Sequence, residues 1–143
     1  MSVSISIEIS LSKQISRMDI LHKLEEFGWS YNDQGKVTFL PVGDEDDFDW
    51  QHKDIPIDEL LKILAIKDNQ GELIGVAMTW KDTNIGGTFL IKENGTVLIS
   101  PDINRKVLDV ESYSKVTDIN WYTTKLVPIF GPLFQSISYG EHV

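Results

Sequence analysis

The densest run of chemistry-bearing side chains is Gly43–Trp50, Gly-Asp-Glu-Asp-Asp-Phe-Asp-Trp, with His52 two residues beyond it. Asp44, Glu45, Asp46, Asp47 and Asp49 could chelate a hard cation, steer a basic protein, or be solvated. Calcium loops place oxygen ligands at alternate positions, with Gly at the sixth and Glu at the twelfth. Counted from Asp44, the fifth, sixth and twelfth slots hold Phe48, Asp49 and Ile55, so the pattern fails. A nuclease-like magnesium site draws carboxylates from separate strands with a lysine nearby, whereas these are nearly consecutive and no Glu-x-Lys occurs. Neither a metal nor a cofactor is expected. Phe48 and Trp50 alternate with Asp47 and Asp49, which suits protein recognition: carboxylates speed encounter and aromatics supply buried area at the centre of a contact. The competing reading has Phe48 and Trp50 folding back to pin the loop, leaving only the acids outside.

Catalytic signatures are absent. The chain has no Gly-x-Ser-x-Gly, no Gly-Lys-Ser/Thr phosphate loop, no Gly-x-Gly-x-x-Gly and no His-Glu-x-x-His. Of three histidines, His22 lies on the polar side of an expected helix and His142 lies next to the last residue, both as bystanders. His52 is the one candidate base, through its closeness to the acidic run. The expectation is a binding protein and not an enzyme. Trp29, Trp80 and Trp121 fall in periodic segments and read as core. Arg105-Lys106 reads as a strand end or an intramolecular ion-pair partner, not a nucleic-acid site.

The positioning elements must come from one domain, because splitting 143 residues would leave each half with a marginal core. Net charge is −9, and residues 1–80 hold 15 acidic and 7 basic side chains against 7 and 6 in the remainder. That balance disfavours nucleic acid and anionic membranes and favours a basic protein. Cysteine is absent and no apolar run is long enough to span a bilayer, so a soluble cytoplasmic protein is expected.

Val3, Ile5, Ile7, Ile9 and Leu11 alternate with serines and Glu8, predicting a half-buried strand over residues 2–12. Ser16 caps a helix that Gly28 ends, and Lys36–Leu40 reads as a strand closing a β-α-β opening of undetermined pairing order. A loop then covers 43–50. Pro56 and Asp58 open a short helix through Leu61, and Ile63–Ile66 is expected to form a hairpin with 72–80 across Asp68–Gly71. Asn94-Gly95 marks a second hairpin between 88–91 and 96–99. Asp118 caps a last helix that Pro128 stops, and the tail beyond reads as short and polar. The fold class is therefore α+β: a single domain with a mainly antiparallel or mixed sheet of about five or six strands and two or three helices.

With its size, acidity, lack of cysteine and acidic-aromatic loop, the chain resembles the small immunity proteins of bacterial toxin–immunity systems, including contact-dependent growth inhibition. The resemblance implies an inhibitor that covers a basic cognate toxin, such as a nuclease, and carries no site residues with it. From the residues alone, Asp44, Glu45, Asp46, Asp47, Phe48, Asp49 and Trp50 form the candidate contact. Two other classes remain open: a small ligand-binding domain or enzyme, and a structural or adaptor subunit.

Overall fold

The computed structural model describes residues 4–12, 15–44, 47–109 and 116–142. It is an α+β domain with one sheet and three α-helices. The strands are β1 (Ser4–Leu11), β2 (Trp29–Ser30), β3 (Val37–Phe39), β4 (Gln51–Lys53), β5 (Ile74–Trp80), β6 (Gly86–Ile91), β7 (Thr96–Ile103) and β8 (Phe134–His142). They lie in the order β4-β3-β5-β6-β7-β1-β8, with β2 beside one end of β5, and every pairing is antiparallel. The strands expected around 2–12, 36–40, 72–80, 88–91 and 96–99 all form. Eight strands exceed the five or six expected because β2 and β4 are only two and three residues long and β8 comes from the tail.

The helices are α1 (Arg17–Phe27), α2 (Ile57–Asn69) and α3 (Ile119–Leu126), and α1 and α3 follow their local signals. The Ser16 hydroxyl accepts from Asp19 N at 3.1 Å, and Asp118 caps α3 by accepting from Trp121 N at 3.2 Å. Pro128 ends α3 in a 3-10 turn. The expected hairpin of Ile63–Ile66 with 72–80 does not form, because α2 runs through this segment to Asn69. Leu60, Leu64 and Lys67 share its buried face at helical spacing, and a four-residue apolar run cannot by itself distinguish strand from helix.

The core fills one face of the sheet, where Ile7, Ile9, Val76, Met78, Phe89, Ile91, Val97 and Ile99 meet Ile20, Leu24, Leu60, Leu64, Tyr122 and Leu126 from the helices. Trp29 is its hub, with ring centroids 5.5 Å from Trp80, 5.3 Å from Phe89 and 6.4 Å from Trp121. The three tryptophans are therefore packing residues, as their periodic settings imply. At the Asn94-Gly95 turn, Gly95 takes φ +81°, and Ile91 faces Val97 across the hairpin. β1 and β3 of the β-α-β opening are not neighbours, since β5, β6 and β7 separate them.

The tail is not a polar extension. It pairs with β1 from Ser4↔His142 to Leu11↔Phe134 and brings Glu141 over Thr117 and Arg105. The Thr117 hydroxyl donates to Glu141 Oε2 at 2.6 Å, and Arg105 Nη1 lies 3.4 Å from the same oxygen. Arg105 is thus an intramolecular ion-pair partner. Burial acts to raise the Glu141 pKa, but hydrogen bonds from Thr117 and Tyr139 with the Arg105 charge outweigh it, and the net shift is downward. A depressed carboxylate adds stability above its unfolded pKa and loses it as pH falls through the folded value. Glu141→Gln is therefore expected to flatten the acid limb of the stability–pH curve below the usual glutamate range, as read by urea unfolding at stepped pH. An unchanged acid limb would contradict the assignment.

Candidate functional site: the acidic-aromatic loop and the open sheet face

With the helices on one face, the other side of the central strands carries the alternate residues: Gly75 on β5 pairs with Leu90 on β6, and Leu90 with Leu98 on β7. Leu90 and Leu98 are partly exposed while their neighbours Phe89, Ile91, Val97 and Ile99 are buried. The chain between β3 and β4 crosses this face.

Its start is pinned from below. Lys67 on α2 is fully buried, and its Nζ donates to Pro41 O at 2.8 Å and to Glu72 Oε1 at 3.3 Å. The same Glu72 oxygen accepts from Gly43 N at 2.7 Å. A buried ammonium needs such company, since an unpaired charge in the interior costs several kcal/mol. Arg17 is held the same way: its Nε meets Asp68 Oδ1 at 2.9 Å and its Nη1 donates to the Glu72 and Ile91 carbonyls.

Of the seven candidate residues, Glu45 and Asp46 lie outside the described residues. Asp47, Phe48 and Asp49 are exposed, while Asp44 and Trp50 are half-buried. The two aromatics divide the two readings between them. Trp50 folds back across β5: a Cβ on Gly75 would fall 2.8 Å from Trp50 Cη2 and 2.6 Å from Leu40 Cδ1. The absent side chain of Gly75 is the space the indole occupies. Phe48 stays outward at 46% exposure, with φ +52°. A bulky residue in this region is a genuine outlier that costs roughly 1–3 kcal/mol and persists only where the surroundings impose it. Here Asp49 N donates to Asp44 Oδ1, Trp50 N to Phe48 O, and Gln51 Nε2 to Asp49 O. Phe48 overhangs an open groove of about 500 Å³ whose apolar wall is Leu73, Leu90 and Leu98, with Lys92 and Glu93 at its rim.

His52 lies in β4 and meets Asp33, a carboxylate of the turn before β3, at 3.7 Å. Thr38 Oγ1 donates to Asp33 Oδ2 at 2.7 Å and lies 2.6 Å from His52 Nδ1. The hydroxyl has one proton and Asp33 takes it, so Nδ1 must carry the hydrogen it shares with Thr38. That tautomer orients the ring but leaves no lone pair at Nδ1 to activate the hydroxyl. Among the described residues, no group of three or more His, Asp or Glu is placed to hold a metal ion, and no helix is long and apolar enough to cross a membrane.

Sequence reasoning missed Lys67 and Glu72, which hold the loop, and Leu73, Leu90 and Leu98, which extend its apolar surface. Leu90 and Leu98 were accessible in principle, as the outward members of strands whose inward members are plainly core. Comparison of the chain with protein-family models, characterised proteins and solved structures finds no match.

Proposed function

We propose that the protein is a protein-binding inhibitor of the immunity type, which neutralises a basic cognate toxin by direct contact. The acids at 44–47 and 49 supply the attractive field, and Phe48 with Leu73, Leu90 and Leu98 supplies the apolar centre. The observation that carries this reading is Phe48: a large exposed aromatic, held at positive φ between two exposed aspartates, above an open groove walled by Leu73, Leu90 and Leu98. Backbone strain that leaves an apolar ring in water destabilises the free protein, and a partner that buries the ring gives the arrangement a function. A nuclease is the toxin class whose basic groove best matches these carboxylates. In this reading Trp50 supports the loop from beneath, and the protein performs no chemistry of its own.

The test is to mix the purified chain with the product of the adjacent gene, where a cognate toxin would be encoded. A stoichiometric complex that suppresses the toxin's activity is expected. Absence of a complex at micromolar concentrations would remove the immunity reading.

A further inference from the structure

The two edges of the sheet are built differently. β4 is three residues, Gln51–Lys53, with His52 and Lys53 on it, and an edge that is short and charged resists pairing with another chain. β8 is nine residues long, pairs with β1 on one side and has no strand on its other side among the described residues. Its register with β1 slips at one end: Ser10 faces Ser136 and Leu11 faces Phe134, so Gln135 bulges and regular pairing starts at Ser136. At the other end Glu141 is engaged by Thr117 and Arg105. Between these ends residues 136–140 read Ser-Ile-Ser-Tyr-Gly, with no charge and no proline, and a Cβ on Gly140 would meet nothing within 4 Å. Such a stretch offers its outward N–H and C=O groups as a template for a further strand.

We propose that β8 is a dimerisation edge: two copies of the chain pair antiparallel through residues 136–140, about a two-fold axis at Ser138, into one continuous sheet. The stretch is self-complementary in this register. With Ser138 opposite Ser138 of the second copy, Ile137 lies opposite Tyr139 and Ser136 opposite Gly140, and the symmetry makes each of these pairs twice. Ile137 and Tyr139 share the helix-bearing face, since they face Ile9 and Ile7 on β1, and Tyr139 is 40% exposed. The pairing covers each with the other. A slip of two residues one way sets Ile137 against Glu141, and a slip the other way sets Tyr139 against the bulge at Gln135. Charge favours a second copy at this edge. Each chain carries −9, concentrated in residues 1–80, whereas residues 81–143 are near balance with 7 acidic and 6 basic side chains. β4, which follows the acidic loop, lies six strand spacings from β8, roughly 30 Å, well past the Debye length of about 8 Å. A basic partner is drawn to the acidic end, while an equally acidic second copy meets least repulsion at β8. Pairing there leaves the two acidic loops open at opposite ends of the joined sheet. The dimer goes beyond the immunity reading and does not rest on it.

The test is the oligomeric state of the full chain by analytical ultracentrifugation at neutral pH and physiological salt. A reversible dimer of twice the 16.2 kDa chain mass is expected, dominant by about 0.1 mM. Ser138→Glu would set four carboxylates round the axis, counting the Glu8 opposite Ser138 in each chain, and should weaken the dimer at least about tenfold, whereas Ser138→Thr should leave it intact. Because the chain has no cysteine, single Ser138→Cys and Ser136→Cys variants report the register under mild oxidation. The first should cross-link, since its Cβ atoms face each other at roughly 5 Å, and the second should not, since its two positions are four residues apart along the pair, roughly 13 Å. A monomeric parent at the highest concentration would overturn the proposal. So would a dimer that Ser138→Glu leaves unchanged, a dimer that Ser138→Thr disrupts as strongly, or cross-linking that fails at 138 or prefers 136.

Discussion

Lys67→Ala is expected to lower the free energy of unfolding by about 3 kcal/mol, the lower end of the range for breaking a buried ion pair because Glu72 is partly exposed. The substitution removes the donor to the Pro41 carbonyl and the charge facing Glu72, and it leaves a void where the stem packed. Against a total stability of roughly 5–15 kcal/mol this is a large fraction. Lys67→Met keeps most of the stem volume, so the difference between the two variants separates packing from charge. Urea midpoints of both provide the measurement. Stability within experimental error of the parent for Lys67→Ala would mean that Lys67 does not anchor the loop.

Phe48 and Trp50 are two residues apart and should respond in opposite ways. Phe48→Ala is expected to weaken a complex by about 2 kcal/mol or more, roughly thirtyfold, with no loss of stability in the free chain. Phe48→Gly should go further and stabilise the free chain by about 1 kcal/mol, because glycine adopts φ +52° without strain. Trp50→Ala should instead destabilise by about 2 kcal/mol, since its indole fills the space over Gly75 beside Leu40. Thermal unfolding of the three variants beside their dissociation rates tests this. A Phe48→Ala chain that loses stability while binding normally would make Phe48 a packing residue.

The legible parts of this fold were those whose local signal agreed with their tertiary role. β1 alternates cleanly because one face is core and the other solvent, and Asn94-Gly95 fixes a hairpin by its backbone preference alone. α2 was misread because its buried stripe ends in a lysine: Leu60 and Leu64 are followed at the next helical position by Lys67, and a charge hides the period. β8 was missed although Ile137 and Tyr139 alternate with Ser136, Ser138 and Gly140, because serine and glycine are weak strand formers whose pairing is set by β1. Within the site, the loop and its exposure at 47–49 were legible from charge. The opposite fates of Phe48 and Trp50 were not, because they depend on Gly75, a residue of β5 that leaves room for one ring over the sheet.

The most direct test of the central claim is the association rate of the chain with its partner across a salt series, for the parent and for a chain carrying Asp47→Lys and Asp49→Lys. Both side chains are exposed, so the fold should survive the reversal. Exposed charges act mainly on encounter and are screened beyond a Debye length of about 8 Å at physiological salt. Slower association with a shallower salt dependence and a nearly unchanged dissociation rate is the predicted result. Association rates and salt slopes identical to the parent's would contradict the account and move the contact away from residues 44–50.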